Sequence, residues 1–217
     1  YNLRADLGII GGAGPVAGQL LEAIKARRKP ADKFWTGELK ANWPEDLPGA
    51  FHSEGTPIHP ARSAGEVVKF LAEEGGDWNL ICDGGEAGVW IGIASRARRP
   101  GQIHGSGPEG NIGMGPAQAI GAWIANRKPV LWFTGDGSFG FHAMEMDTME
   151  RLGIPVVCVI SNDSAWGMIR LEQKWVRPQE VEMNGQCNTE LYHMRAYEKM
   201  VSMWNGHGEL VTEPEEI

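Results

Sequence analysis

The apolar run "PVLWF", 129–133, ends in the glycine-flanked loop "GDGSFG", and the apolar run "PVVCVIS", 155–161, ends in "NDSAWG". Strands this apolar are buried on both faces, which in a soluble chain points to a parallel sheet covered by helices. Between the runs, "FHAMEMDTMERLG" has helical spacing and a terminal glycine, Gly153. Strand, helix and strand in that order form a βαβ unit, and its crossover leaves both strand ends on one edge of the sheet. Asp136 and Asp163 are therefore expected on the same edge, on neighbouring strands. In such sheets that edge is where ligands sit.

The rest of the chain repeats the pattern. "ADLGII" reads as a strand and "PVAGQLLEAIKARR" as a helix with Pro15 in its first turn. A Pro-, Trp- and charge-rich segment, 29–57, reads as a linker that packs its aromatics. "SAGEVVKFLAEE" predicts an amphipathic helix with Ser63 as N-cap and Glu66 completing a capping box. "WNLICD" predicts a strand, "AGVWIGIASRAR" and "GPAQAIGAWIAN" helices, "TELYHMRAYEKMVSMW" a helix and "GHGELV" a last short strand. The expected class is α/β, a doubly wound parallel sheet with helices on both faces.

Composition narrows the partners. A net charge of -8 argues against a nucleic-acid groove and an anionic membrane surface. The basic clusters 25–29 and 96–99 read as solvated helix ends. No apolar stretch reaches the roughly 20 residues of a membrane span. Three widely spaced cysteines without a CxxC read as reduced thiols, which fits a cytoplasmic protein. With 30 glycines gathered between apolar runs, the chain is suited to tight turns and ligand-cradling loops.

An aspartate in one loop and an Asn-Asp pair in the other make a hard-oxygen site. Mg²⁺ takes such ligands and usually keeps phosphate oxygens beside them. Gly135 and Gly137 let the backbone approach closely, and Ser138 opens the following helix, where free N–H groups favour phosphate. The residues thus point to a metal-bridged diphosphate site.

The stretch "GDGSFGFHAMEMDTMERLGIPVVCVISND" resembles the thiamine-diphosphate motif. The chain from "IHPARSAGEVVKFL" to "GHGELV" resembles the acetolactate synthase-like branch of 2-keto-acid decarboxylases and carboligases. The resemblance implies Mg²⁺ held by the carboxylates of Asp136 and Asp163 and by the Ala165 carbonyl. Asp163, preceded by Asn162, stands where the family's commonest pattern has a second Asn, which adds a negative charge beside the diphosphate. Ser138 and the N–H groups from Gly137 to Phe139 would hold the diphosphate. In "EGNIGMG", Ile112 would wedge under the thiazolium, the Gly110 carbonyl would accept from the aminopyrimidine, and Asn111 and Met114 would line the ring. In "CDGGEAG", Gly84, Gly85 and Glu86 match positions that line the diphosphate or the substrate side. Trp166 and Gly167 would complete the cofactor loop, and Trp166, Met168 and Ile169 are candidates to face substrate. Arg170 reads as a surface residue, with a contact to a carboxylate as the alternative, and His104 and His142 read as structural residues.

By the same resemblance, 1–28 corresponds to the last βα unit of a middle domain that binds FAD in some members, and 58–217 to the diphosphate-binding domain, ending one helix and strand short. The chain is thus expected to be the cofactor-anchoring part of a larger enzyme or a truncated chain. The activating glutamate would come from a domain outside this sequence or from a partner chain, so no catalytic residue is assigned here. The implied partners are a 2-keto acid or acyl-CoA substrate and further copies of the chain in a dimer or tetramer. Alternatives are a 2-hydroxyacyl-CoA lyase or oxalyl-CoA decarboxylase type and a non-catalytic cofactor-binding subunit. A dinucleotide enzyme is disfavoured: "GSGPEG" fits GxGxxG, but "PGQIH" before it is a poor strand, and Asn126 stands where the acidic residue belongs.

Overall fold

The computed structural model describes residues 7–27 and 49–217. Contacts divide the chain into two units, Tyr1–Glu45 and Asp46–Ile217. In the first, helix α1 (Ala13–Arg27) buries none of its residues. The strand expected over "ADLGII" is not formed at Leu7–Ile10, and its first residues lie outside the described ones. Most of the linker, 29–48, lies outside them too.

The second unit carries one parallel sheet of four strands, β1 (Asn79–Cys82), β2 (Ile103–Gly105), β3 (Val130–Gly135) and β4 (Val156–Ser161), in the order β2-β1-β3-β4. Helices α2 (Pro60–Glu73) and α3 (Glu86–Ala94) share one apolar cluster with Leu80, Leu131 and Phe133. Helix α4 (Gly115–Asn126) shares the other with Ile81, Val130, Trp132 and Phe139. Alternate residues of β1 and β3 thus feed opposite layers, because side chains alternate across a strand. This is the doubly wound arrangement expected. Trp132, Phe133, Ile81 and Leu131 are all essentially inaccessible. Burial of each such side chain contributes about 1.5–3 kcal/mol.

Several local expectations are corrected. Helix α2 begins at Pro60, and its N-cap is His59, whose Nδ1 accepts from the Ala61 N–H at 3.1 Å. Ser63 lies inside the first turn and donates back to the Pro60 carbonyl, so the Ser63–Glu66 box does not form. Proline at the first position starts the helix early, since its missing N–H costs nothing there. The helix after β3 is two: α5 (Asp136–His142) and α6 (Glu145–Arg151). Met146 and Asp147 donate to Ala143 and Met144, three residues back, in a tight turn between them. The run expected as a helix over "TELYHMRAYEKMVSMW" is a 3₁₀ turn at Tyr197–Trp204 only. Its first half is taken up elsewhere: Glu190 bridges to Ala165, and Leu191 donates to Ser164. The "GHGELV" strand is absent, with no pairing beyond β4. Helices α7 (Gly167–Val176) and α8 (Pro178–Asn184) fall in a segment to which the sequence reading assigned no element. Among the described residues no helix is long and apolar enough to cross a membrane.

Candidate cofactor site at the strand ends

Register places the two loops side by side. Thr134 pairs with Ile160 and Gly135 with Ser161, so Asp136 and Asn162 come next, just past the ends of adjacent parallel strands. Gly84, after β1, packs against the same point: a Cβ there would lie 3.1 Å from the Gly135 nitrogen and 3.2 Å from Ser138 Oγ. Its φ of +93 reinforces the need for glycine.

Asp136 opens α5 and is only 3 % exposed. Its Oδ2 is one of two buried side-chain oxygens without a hydrogen-bond partner among the described residues, the other being Thr189 Oγ1. Burial first, and then the charge of Asp163, push the Asp136 carboxyl up to about 6. Asp163 is raised as well, chiefly by burial and against the pull of Arg170. Its Oδ1 accepts from the Ala165 N–H at 3.2 Å, and its Oδ2 receives Arg170 Nη2 at 2.7 Å. Asn162 behaves differently. Its Oδ1 accepts from the Ser164 N–H at 3.0 Å, closing an Asx turn that holds Ser164 at φ +57. The amide shapes the loop, and Asp163 is the side chain of the pair that faces Asp136.

Gly137 gives the loops their close approach. A Cβ on Gly137 would lie 2.8 Å from the Trp166 ring, so the indole rests on bare backbone. Trp166 in turn stands edge-on to Phe141. Asp136, Gly137, Phe141, Trp166, Tyr192 and Tyr197 line a cleft of about 400 Å³. Phe139 turns the other way, into the core between Trp132 and Tyr197, so only its backbone is available to a ligand.

The "EGNIGMG" loop is tied to this edge by a residue that sequence reasoning passed over. Asp83, one residue past β1 and buried, accepts from the Gly84 and Gly113 N–H groups through Oδ1, at 2.8 and 3.0 Å. Its Oδ2 accepts from the Gly115 N–H, Trp132 Nε1 and Thr134 Oγ1, at 3.2 to 3.3 Å. His142 Nδ1 meets the Gly113 carbonyl at 2.8 Å, and Gly113 has φ +77. Held this way, Ile112 is half-buried, while Gly110, Asn111 and Met114 are exposed. The available signal was a carboxylate at the end of a buried strand, ahead of two glycines.

Glu86 starts α3 and receives Trp90 Nε1 at 3.4 Å. Its Oε2 and Asp163 Oδ2 both crowd the position a Cβ on Gly167 would take, at 3.3 and 2.5 Å. Met168 packs on Gly85 in the same manner, and Ile169 is exposed. His104 meets the Gly101 carbonyl at the β2 edge, away from β3. The "GSGPEG" run does follow a strand, β2, but it forms a 3₁₀ turn ending at left-handed Gly110 instead of opening a helix. The dinucleotide reading fails on that point.

A divalent cation fits these residues in one way. Among the described residues no group of three or more His, Cys, Asp and Glu is arranged to hold a metal. Two facing carboxylates, one with an unpartnered buried oxygen, suit Mg²⁺ when phosphate oxygens supply the remaining positions. The first turn of α5 supplies backbone N–H groups with no partner earlier in the helix.

The raised Asp136 sets a pH dependence. The unfolded carboxyl ionises near 3.8, the folded one at about 6. Its stabilising contribution is therefore complete below 3.8 and lost as pH rises through about 6. Without metal, the chain is expected to melt at progressively lower temperature across that window. Asp136→Asn should flatten the profile there, as thermal melts at a series of pH values would show.

Residues 83–217 match the thiamine pyrophosphate enzyme C-terminal TPP binding domain. The chain is 35 % identical over 162 residues to the acetolactate synthase large subunit IlvG of Mycobacterium tuberculosis, covering 74 % of this chain and 28 % of that protein. It is 33 % identical over 178 residues to 2-hydroxyacyl-CoA lyase 2 of Danio rerio, covering 78 % and 27 %. Against a probable acetolactate synthase large subunit of Methanocaldococcus jannaschii it is 29 % identical over 174 residues, covering 77 % and 29 %. The chain thus spans less than a third of the length of each of these relatives.

Proposed function

This chain belongs to the thiamine pyrophosphate enzymes through their C-terminal TPP binding domain, and from that membership we propose that it anchors thiamine diphosphate through Mg²⁺ in a lyase or carboligase acting on a 2-keto acid. One observation carries the metal assignment: the buried, unpartnered Oδ2 of Asp136, just past the end of the strand beside the one whose end presents Asp163. Asp136 and Asp163 hold the cation, with the Ala165 carbonyl as the third protein ligand. The turn from Gly137 to Phe139 and the Ser138 hydroxyl hold the diphosphate. Gly84 keeps the neighbouring strand end low enough for the diphosphate to lie there. Ile112 and Met114, on the loop pinned by Asp83, support the rings. Trp166 and Phe141 keep water from the cleft wall.

When bound, thiamine diphosphate supplies a nucleophilic carbon and an electron sink for breaking a bond beside a carbonyl. The chain's own residues position and desolvate it, which strengthens every charge interaction at the site. By the family resemblance, a glutamate from outside this sequence, in an oligomer or a complex with a second chain, would serve the aminopyrimidine of the bound cofactor.

A second reading is favoured by the Danio rerio relative, named a 2-hydroxyacyl-CoA lyase, which the chain matches over as large a share of its length. Pyruvate condensation and 2-hydroxyacyl-CoA cleavage, assayed side by side on the enzyme containing this domain, separate the two. For the chain itself, calorimetry is expected to show thiamine diphosphate uptake only with Mg²⁺ present, reversed by EDTA. Equal uptake in EDTA would remove the metal from the proposal.

A further inference from the structure

The corner that receives the diphosphate is unusually acidic. The charge of Asp163 raises Asp136, the charge of Glu86 raises Asp163, and the Asp163 and Glu86 carboxylates approach the same point over Gly167. A diphosphate adds several more negative charges. A single divalent ion leaves such a group net negative, and like charges at these separations disfavour binding.

We propose that Arg170 is a positioning residue for the cofactor, neutralising Asp163 so that the diphosphate can be held beside three carboxylates. This rests on the thiamine diphosphate reading above. Its Nη2 lies 2.7 Å from Asp163 Oδ2, and both side chains are about one-third exposed, at 34 % and 39 %. The pair is therefore only partly screened. Asp163 is fixed from two sides, by the Ala165 N–H on Oδ1 and by Arg170 on Oδ2. Arg170 is itself held in place. It lies in the first turn of α7, its N–H donates to the Trp166 carbonyl, and Gln186 Nε2 donates to its carbonyl at 2.8 Å. Gly167 is part of the same arrangement, because a Cβ there would meet the oxygen that Arg170 binds. Arg195, which lines the cleft, stands 4.5 Å over the Tyr192 ring. Arg170 is the cation that the structure pairs with Asp163.

The need for Arg170 comes from the carboxylate at 163. The test is a double-mutant cycle on the 217-residue chain, titrating thiamine diphosphate in the presence of Mg²⁺ by calorimetry. Arg170→Gln is expected to weaken binding about tenfold, and Arg170→Lys, which keeps the charge, to stay within about threefold of the parent. On an Asp163→Asn background, Arg170→Gln should cost less than about twofold, because the charge it offsets is gone. An equal loss on both backgrounds, or no loss on either while Asp136→Ala abolishes binding, overturns the role of Arg170 and leaves the cofactor site standing. Binding by Asp136→Ala as tight as by the parent, or no binding by the parent, overturns the cofactor reading and this inference with it.

Discussion

Asp136→Ala is expected to abolish Mg²⁺-dependent retention of thiamine diphosphate, weakening it by at least about a hundredfold. The carboxylate is buried, its Oδ2 has no partner, and burial together with Asp163 raises its pKa. A buried oxygen left unsatisfied is costly to a protein and is explained best by a group that completes it on binding. The same facts predict that the substitution does not unfold the chain. At pH 7 the parent carries a desolvated charge without a counter-ion, so its removal should leave the cofactor-free chain at least as stable. Lost binding with an unchanged or raised melting temperature is the expected pair of results. Unchanged affinity would sink the metal site.

Asp83→Ala should give the opposite pattern, a large loss of stability of about 3–5 kcal/mol. This carboxylate is buried and accepts from three backbone N–H groups, an indole and a hydroxyl. Removing it leaves three backbone N–H groups and the indole without this acceptor, while the Thr134 hydroxyl keeps the Gly135 carbonyl at 3.3 Å. Asp83→Asn is the more telling variant. It keeps the size but turns one oxygen into a donor facing other donors, so it should retain only part of the stability. Both variants should also weaken cofactor binding, since Gly113 and Gly115 are held to β1 through this side chain. Denaturant unfolding and calorimetry measure the two effects separately. An Asp83→Ala chain as stable as the parent would mean that the loop is held by its other contacts, His142 among them.

The sheet and the pairing of the two loops were legible because they rest on strong local signals. Apolar runs punctuated by glycine left few alternatives to a parallel sheet, and the βαβ rule then placed Asp136 and Asp163 together. Weaker signals misled. Ser63 had the right neighbours for a cap, but Pro60 began the helix a turn earlier. The residues around Glu190 had helical spacing, but their backbone groups were claimed by Ser164, Ala165 and Trp166. A long-range partner of that kind outweighs a propensity worth only tenths of a kcal/mol per residue, roughly. Asp83 was overlooked because its five partners are spread from Gly84 to Thr134, and no local pattern reveals a side chain that serves distant loops.

The sequence by itself determined the class of fold and brought the two acidic loops to one edge of the sheet. These follow from hydrophobic period, glycine placement and residue type, which act within a few positions along the chain. Only the tertiary structure decided which groups share charge and hydrogen bonds. It made Asn162 a turn residue, left the Oδ2 of Asp136 unpartnered, gave Asp83 the task of tying the 113–115 loop to β1 and β3, and set Arg170 against Asp163. Electrostatics and hydrogen bonding depend on separations of a few ångströms between residues far apart in order, and packing alone sets those separations.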